Sequence, residues 1–249
     1  MKSRSAARSW VLLALFTAAI AHAQEQPAAA PKAAQAEEAA AAPEDPPDPA
    51  HVTWYAQALA QGPGGLNVTQ FWSKGNKLRA ETAIAGHKIV TIVNGEWYFA
   101  YDATKGIGIQ VRRTPEAIAN ATPHVRPFGN EALKLIKQGA EKVREENFHG
   151  RETDVYQLTD RLGRRVVWVS NDTLNIPFRV EVYNRSLGTK QATDYIDWLT
   201  GLTLPDAYFS IDPNVEITAY EFDEYVHFSG RVGNVGPVPV LYLDLLRGR

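Results

Sequence analysis

Ile89 to Val93 is an unbroken β-branched run, Asn94-Gly95 supplies the residues of a tight turn, and Glu96 to Tyr101 returns as an aromatic strand. This reads as an antiparallel hairpin. A hairpin with one wet face would alternate apolar and polar residues, whereas both arms here are mostly apolar or aromatic, so both faces are expected to be covered. Around it the pattern predicts strands at Leu66 to Trp72, Asn76 to Ile84, Lys88 to Val93, Glu96 to Asp102 and Gly106 to Arg112, turning at Gly, Asn or Lys. In the second of these, Leu78, Ala80, Thr82 and Ile84 alternate with Arg79, Glu81 and Ala83, so one face of that strand can be wet. Short connections make the series an antiparallel meander.

A helix is predicted ahead of the meander, with Asp48 as N-cap, Pro49 in the first turn, a stripe of Val52, Tyr55, Ala56 and Leu59, and Gly62 after the last turn. Two more interrupt the strands. Thr114 caps and Pro115 opens one ending near Asn120; Asn130 caps another that carries Leu133 and Ile136 and stops at Gly139. Strands resume at about Lys142 to Asn147, Glu152 to Thr159, Arg164 to Ser170, Pro177 to Tyr183, Thr189 to Trp198 and Tyr208 to Ile211, with others near Val215 to Phe222 and Tyr225 to Phe228. The fold class expected is mainly β (α+β), and so many antiparallel strands must curl into a barrel or split into a sandwich.

The first fifty residues do not share this pattern. Lys2, Arg4 and Arg8 precede an apolar core from Trp10 to Ile20, and Ala21-His22-Ala23 has the small-x-small form of a signal-peptidase site. The core is short of the ~20 apolar residues a spanning helix needs, so residues 1–23 are expected to be a signal peptide cleaved after Ala23. Residues 24–50 are almost entirely Ala, Pro, Glu and Gln, without a large apolar side chain, and read as a disordered linker. The remaining residues 51–249 form the globular domain. With no cysteine, disulfides, thiolate metal sites, cysteine nucleophiles and a lipid-bearing cysteine are all excluded. The chain has 26 basic and 28 acidic residues; setting aside three basic ones in the leader, and six acidic and one basic in the linker, the rest balance. That balance argues against nucleic acid as a partner.

Candidate chemistry is sparse. His51, His87, His124, His149 and His227 stand singly without metal-ligand spacing, and no nucleophile elbow, HExxH or phosphate-cradling glycine loop occurs. No catalytic residue, metal or cofactor is therefore expected. Glu221, Asp223 and Glu224 with His227 are the one acidic cluster near a histidine. Read as a strand, YEFDEYVHF puts Phe222 and Glu224 on one face and Glu221, Asp223 and Tyr225 on the other, which fits a solvated sheet edge better than acid–base work.

WSKGNKLRAE (Trp72 to Glu81), VNGEWYFAYDATKG (Val93 to Gly106), GRETDVYQLTD (Gly150 to Asp160), RRVVWVS (Arg164 to Ser170), IPFRVEVY (Ile176 to Tyr183) and AYFSIDPNVEI (Ala207 to Ile217) follow in an order and spacing that resembles the periplasmic lipoprotein-carrier family of LolA and LolB and the related RseB sensor. The likeness spans most of Ala50 to Ile217. It implies a strongly curved antiparallel sheet of about eleven strands, an incomplete barrel covered by short helices, whose cavity holds acyl chains. Tyr220 to Arg249 extends beyond where simple carriers end. Leu78, Ile92, Trp97, Phe99, Ile109, Trp168, Val180 and Trp198 are the residues expected to line the cavity. On the strand Glu96 to Asp102, Trp97, Phe99 and Tyr101 share one side and Tyr98, Ala100 and Asp102 the other, more polar side, so Phe99 is expected to face the cavity and Tyr98 the outside. The function implied is a soluble periplasmic carrier for lipoprotein acyl chains or other lipids, with a membrane-bound donor or acceptor protein as further partner. The alternative is an envelope sensor or interaction module on the same fold; an enzyme using Glu221 to His227 is the third reading.

Overall fold

The computed structural model describes residues 52–122, 125–229 and 238–248 of the chain. The expected signal peptide and linker lie outside the described residues, as do His51 and His124. Six strands form a first meander: β1 (Thr53–Gly62), β2 (Gly65–Lys74), β3 (Lys77–Ile84), β4 (His87–Asn94), β5 (Trp97–Asp102) and β6 (Ile107–Arg112). Helices α1 (Pro115–Asn120) and α2 (Glu131–Lys137) separate it from a second meander of β7 (Glu141–Phe148), β8 (Arg151–Asp160), β9 (Gly163–Ser170), β10 (Pro177–Asn184) and β11 (Thr189–Thr200). β12 (Glu216–Tyr220), α3 (Phe222–Ser229) and α4 (Leu243–Arg247) follow. The described strands make one sheet in the order β12-β6-β5-β4-β3-β2-β1-β11-β10-β9-β8-β7. β1 joins the meanders by pairing with both β2 and β11, and the sheet is open, with β12 and β7 as its edges.

The mainly β class and the interrupting helices are as expected, and the opening hairpin is β4 and β5 in register, Ile92 opposite Phe99. Both its faces are covered: Ile89, Val90, Ile92 and Val93 are all buried. Four local expectations are corrected. Asp48 and Pro49 lie outside the described residues, and Thr53–Gly62 of the expected opening helix form β1, where Trp54, Ala56 and Ala58 alternate with Tyr55, Gln57 and Leu59; the apolar positions divide between two covered faces, and pairing on both sides makes the segment a strand. Tyr208 to Ile211 is no strand, because Pro205 precedes a 3-10 turn over Asp206–Phe209. Tyr225 to Phe228 lies in α3, whose first turn carries Asp223 and Glu224, so the strand-face reading of Glu221 to His227 does not apply. β12 runs parallel to β6, which makes the sheet mixed, and β1 and β12 bring the described strands to twelve. In α2 it is Ala132 and Leu135 that are buried, while Leu133 and Ile136 face outward.

Each half of the sheet buries both faces. On one face Phe71, Leu78, Ala80, Tyr98, Ala100 and Ile109 pack under Phe128, Val238 and Leu246. The other face holds Val90, Ile92 and Tyr101 under Phe209, from the crossover that links β11 to β12. That crossover is tied down by Lys74 donating to the Leu204 carbonyl (3.2 Å) and Asn94 to that of Phe209 (3.3 Å). In the second half, α2 covers Val167 and Val169 on the first face, and Val155, Val166 and Trp168 gather with Phe148 on the other.

The β9–β10 contact is close enough to test. Gly163 has φ +147°, and a Cβ there would lie 1.8 Å from the Tyr183 carbonyl oxygen. Gly163→Ala should therefore lose about 2–3 kcal/mol in chemical denaturation, since backbone must move to admit the methyl group. Gly64→Ala, with nothing within 4 Å of the added carbon, is the control expected to stay near wild type.

Candidate functional site

A single cross-strand row organises the covered face. From β11 to β12 it reads Trp198, Ala56, Phe71, Ala80, Thr91, Ala100, Ile109 and Thr218, each directly opposite the next. Directly paired residues project to the same side, so four of these eight positions being Ala or Thr within strands β1 to β5 leaves a shallow trough between larger neighbours. Tyr98, Tyr195 and Leu78 stand beside it on the same face.

Rings from the covering segments occupy the trough. Phe128 stacks between Phe71 (centroids 4.9 Å apart) and Trp198 (5.5 Å), and Trp198 stacks in turn on Tyr195 (5.2 Å). Tyr242 meets Phe71 edge-on at 5.8 Å. Its hydroxyl lies 3.3 Å from that of Thr82, and its backbone N–H donates to the Tyr98 hydroxyl (3.2 Å). Val238 and Leu246 complete the filling at 2% and 0% exposure.

The cover is held mainly through backbone carbonyls. Arg113, at the end of β6 and only 4% exposed, donates to the carbonyls of Leu245 (2.7 Å), Gly95 (2.7 Å) and Ala117 (2.8 Å). Thr114 caps α1 by accepting from Ala117 N–H, while its own N–H donates to the Leu246 carbonyl and its hydroxyl to that of Arg247. Asn120 reaches the Gly248 carbonyl, and Lys134 pairs with Asp244.

One corner of this face is polar. The Arg126 guanidinium lies over the rings of Trp54 (4.8 Å) and Trp198 (5.3 Å) and donates through Nη2 to the carbonyls of Gly129 and Leu174. Tyr195 donates its hydroxyl to Glu131 Oε1 (2.9 Å). Burial, then the neighbouring Glu131 carboxylate, push the Tyr195 phenol well above its ordinary range, so it stays a donor. Burial lowers Arg126, opposed by Glu131. Arg126 Nε and Glu131 Oε2 are buried without a partner among the described residues. Each such group costs about 1–3 kcal/mol if it stays unsatisfied.

The eight residues expected to line one cavity are distributed over both faces. Leu78, Ile109, Val180 and Trp198 belong to the helix-covered face. Ile92 and Phe99 pack on the opposite face against the Phe209 crossover, with Trp97 half-buried on the same side of β5. Trp168 lies on that opposite face in the second half of the sheet. On β5, Tyr98 lies under the helices and Phe99 on the opposite face beneath Phe209. Asp102, the polar residue on the Tyr98 side, is 3% exposed and spends its charge on the turn, accepting from Thr104 and Lys105 N–H groups and lying 2.8 Å from His87 Nδ1. Phe71, Tyr98, Phe128, Tyr195, Tyr242 and Arg126 were not anticipated at the site; the alternation of Ala56, Ala58, Ala80 and Ala100 with bulky neighbours was the available signal.

A separate open cleft of about 740 Å³ lies where Glu96, Arg112, Thr114 and Ile118 face Glu221, Phe222 and Asp223. Arg112 pairs with Glu96 on one side of it at 2.8 Å. Its lining is of mixed charge, unlike the trough.

No family model matches the chain, and a search of curated proteins finds no match. Comparison with solved structures finds likeness of fold. An uncharacterized conserved protein from Thermus thermophilus superposes with a TM-score of 0.50 at 7% identity, covering 68% of this chain and 90% of that one. Lower likeness extends to a MucA/MucB complex of Pseudomonas aeruginosa (TM-score 0.43, 14% identity, 68% of this chain and 59% of that one). It extends also to a domain from Vibrio parahaemolyticus named for outer membrane lipoprotein sorting (TM-score 0.31, 12% identity, 64% of this chain and 89% of that one). The fold is thus shared with the Thermus thermophilus protein, and the other two likenesses are more distant.

Proposed function

We propose that the protein is an exported, non-catalytic binding protein for the acyl chain of a lipid or lipoprotein, which it receives on the helix-covered face of the sheet. The observation that carries this reading is the trough of Ala56, Ala80, Thr91 and Ala100, filled by Phe128, Tyr242 and Leu246 from short covering elements. A core made from a second sheet would be fixed by a ladder of strand pairs, whereas these occupants are single side chains that a chain of methylenes can replace. Acyl burial contributes about 0.8 kcal/mol per CH₂, so half of a ~16-carbon chain supplies on the order of 6 kcal/mol before association costs. Displacing one buried leucine costs about 1.5–3 kcal/mol, so exchange between cover and ligand is feasible.

Native mass spectrometry of the protein as purified should find bound lipid, and a fluorescent fatty-acid probe should bind in competition with it. Ala100→Leu, which fills the trough without adding a charge, should weaken the probe at least about tenfold while circular dichroism stays unchanged, because added volume must displace either the chain or the cover. A lipid-free protein that ignores the probe and elutes with a protein partner would instead support an interaction module on this fold.

A further inference from the structure

The polar corner beside the trough offers one donor and one acceptor that nothing among the described residues satisfies: Arg126 Nε and Glu131 Oε2. Neither group is free to turn away. The guanidinium lies over two tryptophan rings and is tied through Nη2 to the carbonyls of Gly129 and Leu174, and the carboxylate is held by Tyr195 through its other oxygen. They are close enough for Glu131 to act on the charge of Arg126, yet they do not hydrogen-bond to each other. Trp198 connects them to the apolar face, since it lies beneath Arg126, stacks on Phe128 and Tyr195, and begins the row that runs through Ala56 to Ile109.

We propose that Arg126, Glu131 and Tyr195 recognise the head of the bound acyl chain, and that the group they select is an uncharged donor–acceptor, an amide or a hydroxyl. This rests on reading the trough as the acyl site. An amide carbonyl accepts from Arg126 Nε–H while its N–H donates to Glu131 Oε2; a hydroxyl serves both with one atom. A free carboxylate has only acceptors to offer and would face Glu131 as a like charge, and an ammonium would face Arg126 in the same way. The pair is already neutral, so a charged head would leave a net charge in a buried place. The corner thus favours chains joined through amide or hydroxyl-bearing heads over free fatty acids.

The test compares dodecanamide, dodecanol and dodecanoate, which share a chain and differ in the head, by displacement of the uncharged dye N-phenylnaphthylamine. Wild type should bind the amide and the alcohol at least about tenfold more tightly than the carboxylate. Glu131→Gln, which leaves the Arg126 charge unopposed, should turn the preference toward dodecanoate, and the double variant Arg126→Met with Glu131→Leu should bind all three alike while still taking up the dye. Equal affinities in wild type, or a preference that survives the double variant, would overturn the inference and leave the pair bridged by water. If the dye and all three ligands fail to bind, the acyl reading itself falls, and this one with it.

Discussion

Ending the chain at Pro237 should open the trough and increase binding of a fluorescent fatty-acid probe by at least about tenfold, at a cost of about 6 kcal/mol in stability. The truncation removes Val238, Tyr242 and Leu246, three residues packed on the row from Ala56 to Ile109. It leaves every described strand pair intact. At about 1.5–3 kcal/mol for each large apolar side chain, the loss is comparable with the whole stability of an ordinary domain, so the truncated protein should be measured near 10 °C and its fold checked by circular dichroism. A second variant makes the outcome independent of that margin. The N–H and hydroxyl of Thr114 touch the carbonyls of Leu246 and Arg247 (3.1 and 2.8 Å), which brings the two backbones close enough for a disulfide between Thr114→Cys and Arg247→Cys. The chain has no cysteine of its own, so the bridge would be unique. Oxidised, it should hold the cover down and suppress probe binding; reduced, it should restore it. Equal binding by the oxidised and reduced forms would show that the C-terminal segment is fixed core and that any ligand binds elsewhere.

Local signals in the chain identified what local physics controls. The β-branched run and Asn94-Gly95 specify the β4–β5 hairpin without help from elsewhere, and Thr114-Pro115 specifies the start of α1, where the expected side-chain cap is made. β1 was missed because Tyr55, Ala56 and Leu59 satisfy a helical period as well as a strand, and the pairs that decide the matter join it to β11, more than a hundred residues away. The parallel β12–β6 pair is equally remote from local pattern. At the site, alternation separated Tyr98 from Phe99 correctly. Which side lay beneath the helices depended on the crossover over Asp206–Phe209 taking the Phe99 face, and a strand with two covered faces has no polarity difference from which to read that. Asp102 supplied an apparent difference, but its polarity serves the neighbouring turn. Phe128 and Tyr242 lie outside every strand, where period carries no information, so the filling of the trough became visible only in three dimensions.

Arg113→Met should detach the C-terminal segment and cost about 3–5 kcal/mol in chemical denaturation, at about 1–3 kcal/mol for each buried acceptor left without a donor. No salt bridge partners this guanidinium among the described residues; it sits 4% exposed with its hydrogen bonds directed at three carbonyls on three different elements, the β4–β5 turn, α1 and α4. Burial lowers its pKa, but a guanidinium remains charged across the ordinary range, so the three dipoles and the cation depend on one another at any working pH. Methionine keeps most of the apolar stem and removes all the donors, leaving the Gly95, Ala117 and Leu245 oxygens to find water or remain unsatisfied. Arg113→Lys should recover only part of the loss, because one flexible ammonium cannot address three acceptors as a planar fork does. Loss of stability alone would not separate a holder of the cover from any buried arginine, so the deciding readout is local. In hydrogen exchange, the Leu245 and Gly248 amides, which close α4 by donating to Tyr242 and Asp244, should lose protection in both variants in the order Met more than Lys. Amides in the β3–β4 ladder should keep theirs at denaturant concentrations well below the midpoint. If α4 and β3–β4 lose protection together, Arg113 supports the whole sheet and the C-terminal segment is not a separable cover.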